Sequence, residues 1–377
     1  MYCWCKFPAF GWVTETIEDT RVSIDEAEKH NEQSTIYNMP MELLELIISR
    51  LTLEENLRAS VVCKRWLKAA ISVRVADKPP WLMLASTCDD DLIEFYDPRT
   101  RKSYWLELPE LRGCRACHAR DGWLLLYSFQ TQSISFLSPY TRELIKLPTL
   151  ELASQVVAFS AAPTTTSCIV LTVKNISRGL VAISTWRPGG SEWTTVNFQN
   201  RLPFVSSTWN KLVCCNGLFY FLSLTGWLGV YNPEEQSWVI RTVPPPECRD
   251  FIFAKNWWKG RFMAEHHGDL YIMYTAPSLN PVIYKLDQIN EVWEEMKSLG
   301  GLTIFGSTLS SHARKDLLGM MRNSVYFAKV LFYGKRCVSY SLTDCRYYPR
   351  KQSYDWSEQN PFECIWIEPP EDISIFI

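Results

Sequence analysis

No stretch of the sequence holds the roughly 18 continuous apolar residues that a membrane-spanning helix needs. The opening run, MYCWCKFPAFGWV, is apolar but interrupted by Lys6 and Pro8. It lacks the basic leader, long apolar centre and small-residue cleavage site of a secretory signal. An excess of either charge is missing too: 39 Lys plus Arg face 41 Asp plus Glu, for a net charge of -2. That balance gives no electrostatic case for binding nucleic acid or an anionic membrane. A disulfide framework is also missing. The 13 cysteines are odd in number, scattered through apolar segments, and set in a chain far longer than small bridged domains. They are expected to be mostly reduced core residues in a protein of the cytosol or nucleus. Motifs of catalysis are missing as well: the chain has no G-x-S-x-G elbow, no Walker-type phosphate loop and no G-x-G-x-x-G.

What is there points to a large core. Hydrophobic residues make up 47% of 377 positions, a length that suits two or three domains. The 16 Trp, 14% aromatic content and 21 Pro lean the bulk of the chain towards β structure. Residues 1–34 run from the aromatic start into a polar, acidic stretch with little to bury, and are expected to be disordered.

Residues 35–76 differ from the rest. After Asn38 and Pro40, Leu44, Ile47, Ile48 and Leu51 follow the i, i+3, i+4, i+7 spacing of one helix face. Leu43 and Leu46 widen that sector well beyond one stripe. So greasy a helix must be buried on more than one side. Leu53 to Arg58 and Val61 to Ile71 read as two further short helices. Three small helices bury too little to stand comfortably alone. Their excess apolar surface is expected to pack on another protein.

The order Met39-Pro40, Leu43-Leu44, Ile47, Leu51, Leu57, then Val62-Cys63-Lys64-Arg65-Trp66 resembles the F-box motif. The family pattern opens with Leu-Pro, so Met39 is a conservative departure. F-box units dock on a Skp1-type adaptor, which links them to a cullin and a ubiquitin-transfer module. The resemblance implies that partner here. It makes Pro40, Leu43, Leu44, Ile47, Ile48, Leu51, Cys63 and Trp66 the expected contacts or the supports of those contacts.

From Lys78-Pro79-Pro80 onward the texture changes, because two prolines fix φ and remove donors. Short apolar runs alternate with turn signals over residues 77–377, the spacing of an all-β domain. A repeat runs through them. Phe95-Tyr96-Asp97-Pro98 is followed by Tyr104-Trp105, and Phe136-Leu137-Ser138-Pro139 by Ile145, with the two prolines 41 residues apart. Val230-Tyr231-Asn232-Pro233 is followed by Trp238, and Tyr284-Lys285-Leu286-Asp287 by Trp293. Half a repeat earlier come the turns Asp121-Gly122, Asn216-Gly217, Gly268-Asp269 and Asn323-Ser324. Proline presets the turn, and the Trp or Ile behind it is expected to pack on the neighbouring unit. Units of about four strands cannot bury both faces alone, so copies must stack in a ring. Six blades are expected, with seven the alternative. Cys364–Ile367 should share a blade with Trp81–Leu84 and close the ring.

The pattern resembles degenerate kelch repeats without their double glycine, as in the propellers joined to F-box units in many plant proteins. The expected fold is therefore mainly β: a three-helix F-box followed by a single kelch-like β-propeller. The two resemblances together imply a substrate-recognition subunit of a Skp1-cullin-F-box ubiquitin ligase. Such a subunit does no chemistry, needs no cofactor or metal, and binds a target protein that the sequence does not name. The alternative is a propeller enzyme or small-ligand sensor with a non-ligase F-box.

Three local patterns invite chemistry. Cys114-x-x-Cys117-His118 matches a c-type haem attachment signal or half a zinc site. No export signal and no second ligand pair accompany it, and it reads as a blade strand leading into the Asp121-Gly122 turn. Cys3-x-Cys5 likewise lacks a second pair. His266-His267 and Cys214-Cys215 are adjacent strand residues, expected on opposite faces and so unable to share an ion or a redox bond.

Overall fold

The computed structural model describes residues 39–48, 51, 53–74, 78–84, 91–128, 130–150, 156–202, 204, 212–223, 226–243, 260–275, 280–307, 309–315, 317, 319–328, 337–349, 364–370 and 375. The segment 1–34, with its expected disorder and the Cys3-x-Cys5 pair, lies outside them.

Three helices come first: α1 (Met41–Ile48), α2 (Leu53–Ser60) and α3 (Lys64–Arg74). The Pro40 carbonyl accepts the first α1 hydrogen bond, from the Leu44 N–H at 3.1 Å, so proline sits where its missing donor costs nothing. Glu42 occupies the first turn, where the helix dipole favours an acid. The Cys63 carbonyl opens α3 in the same way, accepting from Leu67 at 2.8 Å. Leu44 and Ile48, one turn apart, are buried against Ala69 and Ala70 of α3. The two alanines let the helices approach closely. Asn56 of α2 is buried and donates to the Ala70 carbonyl at 3.2 Å, which satisfies its amide.

The rest is a six-bladed β-propeller among the described residues. Blade 2 shows the plan: Cys114–Arg120, Trp123–Ser128, Ser133–Leu137 and Leu144–Lys146 run antiparallel in chain order. Blade 3 keeps that order from Val156 to Gln199, blade 4 from Leu212 to Arg241 and blade 5 from Gly260 to Glu295. Blade 1 takes its innermost strand from the far end of the chain. Cys364–Ile367 pairs antiparallel with Trp81–Leu84, Leu84 opposite Cys364 and Trp81 opposite Ile367. The ring closes as the sequence suggested.

Strand alternation explains why blades stack. In Trp123–Ser128, Leu124 and Leu126 join a cluster with Trp81 and Phe95 of blade 1. Trp123, Leu125 and Tyr127 join one with Phe159 and Val170 of blade 3. Successive side chains point to opposite faces, so one strand serves two interfaces. Each further pair of neighbours shares such a cluster, including blades 6 and 1.

The turns behave largely as read. Asp97 Oδ1 accepts the Arg99 N–H at 2.8 Å, and Asn232 and Asp287 cap their turns alike. Trp238 and Trp293 pack on the preceding blade and anchor their indole N–H groups on Asn200 and on the Val243 carbonyl. Trp105 does not follow them: it is 47% exposed, and Tyr104 instead stacks on Trp81 with ring centroids 4.8 Å apart. Neighbouring strand residues face opposite ways, and in this copy the inward position falls on Tyr104.

Blade 6 departs from the plan. Leu302–Gly306 runs parallel to Ser324–Phe327, and His312–Lys315 folds back along it to become the innermost strand of five. In the connection between them, Leu309 and Ser310 contact blade 2: His118 Nδ1 donates to the Leu309 carbonyl at 3.0 Å and the Ser310 hydroxyl to the Ala119 carbonyl at 2.6 Å. Leu309 is buried in the cluster that blades 1 and 2 share.

Candidate functional site

Two places present candidate functional side chains. The first is the outer face of the helical unit. Leu43 is 51% exposed, Leu46 52% and Ile47 44%. Val61, Val62 and Leu67, at the α2–α3 junction and on α3, are also exposed. The eight residues singled out from the motif divide by role. Pro40, Leu43 and Ile47 are on the surface, whereas Leu44 and Ile48 face inward and hold α1 on α3. Leu51 and Trp66 are half-buried against that small core, and Cys63 is half-buried at the start of α3. Val61, Val62 and Leu67 were missed, although two consecutive valines at a helix junction are a readable sign of surface to be covered.

The second place is a well of about 410 Å³ at the centre of the ring. Side chains from blades 2, 4, 5 and 6 meet there with Glu368, the residue after the closing strand. A network surrounds Glu368. Oε1 lies 3.0 Å from His312 Nδ1 and 3.3 Å from Arg314 Nη2, and Oε2 accepts the Gly122 N–H at 3.0 Å. The Glu368 carbonyl accepts the Tyr140 hydroxyl at 2.9 Å. One residue thus ties blade 1 to blades 2 and 6. Burial pushes the carboxyl towards neutrality, but the His312 charge and hydrogen bond, the Gly122 N–H and Arg314 outweigh it and hold it well below the usual carboxylate range.

His312 is tied on both sides. The Ser310 hydroxyl donates to the Ala119 carbonyl at 2.6 Å. Ser310 Oγ and the Trp366 carbonyl each lie 2.9 Å from His312 Nε2, with the Glu368 carboxylate at Nδ1 on the other side.

His118 enters through a bulge. Ala116 pairs with Leu126 and His118 with Leu125, so Cys117 is the extra residue. The shift sets the His118 ring edge-on to Phe159, with centroids 5.1 Å apart, and Nδ1 donates to the Leu309 carbonyl at 3.0 Å. Burial pushes His118 down to about 3, more than the Leu309 bond raises it, so the ring is neutral near pH 7. Leu309 is thereby held against blade 2, and Ser310 next to it lines the well.

The suspected chemical patterns resolve as follows. Burial raises the thiols of Cys114 and Cys117, and Cys117 hydrogen-bonds the Arg115 carbonyl at 3.6 Å. Cys214 and Cys215 point into different interfaces, and burial pushes Cys215 up to about 12. The histidine expectation needs correction: the rings of His266 and His267 meet, with centroids 4.3 Å apart. His267 is not in the strand. With φ of +48° it forms the turn together with Gly268 at +87°, one residue earlier than the Gly268-Asp269 turn read from the sequence. Both line the well. Among the described residues, no group of three or more His, Cys, Asp or Glu is arranged to hold a metal ion.

A three-helix unit with an outward apolar face, joined to a six-bladed propeller, defines an F-box protein of the propeller type. Comparison with known families agrees. An F-box domain matches residues 36–77, and a KIB1-4 beta-propeller matches residues 95–358. The chain belongs to this F-box and KIB1-4 beta-propeller family. It is 40% identical to the F-box/kelch-repeat protein At1g57790 of Arabidopsis thaliana over 341 residues, 89% of this chain and 95% of that protein. It is 38% identical to the F-box protein At3g56470 of the same plant, over 89% of each.

Proposed function

We propose that this chain is the substrate-recognition subunit of a Skp1-cullin-F-box ubiquitin ligase of the cytosol or nucleus. Residues 35–76 hold the adaptor and residues 77–377 receive a target protein. In this reading the chain does no chemistry itself. It raises the local concentration of target lysines near the loaded enzyme. Relatives named F-box proteins support the reading, as does the general binding of F-box domains to Skp1-type adaptors. Among the described residues no helix is long and apolar enough to cross a membrane.

The observation that carries the proposal is the unburied apolar row on α1. Leu43, Leu46 and Ile47 cover no internal core, yet they sit together on one short helix. The adaptor contact is assigned to Pro40, Leu43 and Ile47, with Leu46, Val61, Val62 and Leu67 beside them. Leu44 and Ile48 support that face from within, with Leu51, Cys63 and Trp66. Co-expression with a Skp1-type adaptor tests this. Ile47→Asp should abolish co-purification and leave the unfolding temperature within about 2 °C, because the site is solvated. Leu44→Ala should instead destabilise the helical unit by about 2–5 kcal/mol through a cavity. An Ile47→Asp protein that still captures the adaptor undiminished rules out this face.

A further inference from the structure

We propose that the central well binds a ligand ending in a carboxylate, with Arg120 as the receptor group. The argument starts from who is already partnered. Three acids line the well, and each has a backbone N–H in reach. Glu368 has that of Gly122 at 3.0 Å, Glu265 that of Gly268 at 3.1 Å, and Asp121 that of Ala162 at 3.0 Å. Arg314 donates to the Ala313 carbonyl at 3.0 Å as well as to Glu368. Arg120 is the exception. Among the described residues its contacts are the Cys214 carbonyl at 3.4 Å and Glu265 Oε2 at 3.7 Å. Charge-assisted N–H···O⁻ bonds run at about 2.7–2.9 Å, and a guanidinium has five donors. The group is therefore held in place without being saturated. Its side chain is 30% exposed, so its donors are reachable from the well.

Shape and charge narrow the ligand. Ser310 and Ser311, which precede the inner strand of blade 6, line one side of the well. At about 410 Å³ it lies in the lower part of the range for small-molecule pockets, room for a terminal segment or a small acid. The three acids repel any anion, and a phosphate dianion meets about twice the repulsion that a singly charged carboxylate does. A single carboxylate needs only to draw Arg120 from its loose contact with Glu265, and the planar fork of Arg fits it bidentately. His266 and His267 form the adjoining wall. The inference rests on channel geometry and holds whether or not the helical unit binds an adaptor.

The test uses the full-length protein and two pools of short peptides with the last three residues randomised, one with free C-termini and one amidated, plus succinate. The free-acid pool should be retained and the amidated pool should bind at least about tenfold more weakly. Arg120→Gln should lose about tenfold, with an unchanged unfolding temperature. Glu265→Gln, which removes the competing charge, should tighten binding, and it keeps the test open if the first variant fails to fold. Succinate displacing the free-acid pool at equal concentration assigns the site to a small acid; displacement only by peptide acids assigns it to a chain terminus. Equal retention of both pools with no succinate binding, or binding unaffected in a folded Arg120→Gln protein, overturns the proposal.

Discussion

Replacing Glu368 with Gln tests how the ring is held shut. The substitution keeps size and removes the charge that faces His312 and Arg314 at 3.0 and 3.3 Å. The backbone pairing of Cys364–Ile367 with Trp81–Leu84 is untouched. What remains is a buried imidazole, its side chain 6% exposed, donating to an amide instead of a carboxylate. Breaking a buried ion pair from one side costs about 3–5 kcal/mol. Glu368 is 21% exposed, which favours the low end, so about 3 kcal/mol is expected. For a domain of roughly 300 residues that lowers the unfolding temperature by about 5 °C. The pH dependence has a definite sign. The folded carboxyl is held down, so on acidification the unfolded chain takes up the proton first. The stability Glu368 contributes is complete above the ordinary glutamate value of about 4.3 and drains away below it. The gap between wild type and Glu368→Gln should therefore shrink as the pH falls below about 4. Calorimetry across that range measures it. A double-mutant cycle with His312→Gln should show coupling above about 1 kcal/mol. A shift under 2 °C, or an additive cycle, would refute the clasp.

Two further outcomes follow from the packing. Because His118 is depressed to about 3 by burial, the unfolded chain binds its proton first between about pH 6.5 and 3. Stability should fall with acidification in that window by up to about 1.4 kcal/mol per pH unit from this residue, and His118→Asn should flatten the slope; parallel slopes in denaturant titrations would contradict the buried neutral ring. Gly229 lies under Trp238 and Phe204, and a Cβ there would overlap the Trp238 ring and come within 2.9 Å of Phe204. Trp238 is pinned by Asn200 and has little freedom to yield, so Gly229→Ala should cost about 3 kcal/mol in denaturant unfolding, and a cost below about 0.5 kcal/mol would show that the blade repacks.

Much of this architecture was readable because it is local. Asp97-Pro98 and Asn232-Pro233 carry their own turn chemistry, and alternation along GWLLLYS states that both faces of that strand are buried. The apolar excess of α1 was readable from spacing, but its division into Leu44 and Ile48 inside, Leu43 and Ile47 outside, depends on where α3 lies. Spacing shows how wide an apolar sector is and leaves open which part of it a neighbour covers. Trp105 failed for a related reason: one residue of offset reverses the face, and the repeat is not regular to one residue. His267 failed because a left-handed turn position was occupied by histidine rather than by Asn or Asp, which mark the equivalent turns at Asn216 and Asp121. The reversed hairpin of blade 6 had no sequence signal. Its parallel pairing with Ser324–Phe327 goes together with a contact far from it in sequence, Leu309 buried in the cluster of blades 1 and 2.

The well and the ring closure are one construction. The chain of bonds runs from the Ala119 carbonyl through Ser310 to His312, from His312 to Glu368, and from Glu368 to the Gly122 N–H. It starts and ends on blade 2 within four residues, having passed through blade 6 and the closing strand. Removing any member opens a buried polar group, so the members stand or fall together. Ser310 lines the well, and it is positioned by His312, whose second nitrogen is held by the residue after the closing strand. A pocket assembled this way is complete only once the last strand is in place. The inward hairpin of blade 6 belongs to the same construction, because it brings Leu309 and Ser310 to blade 2.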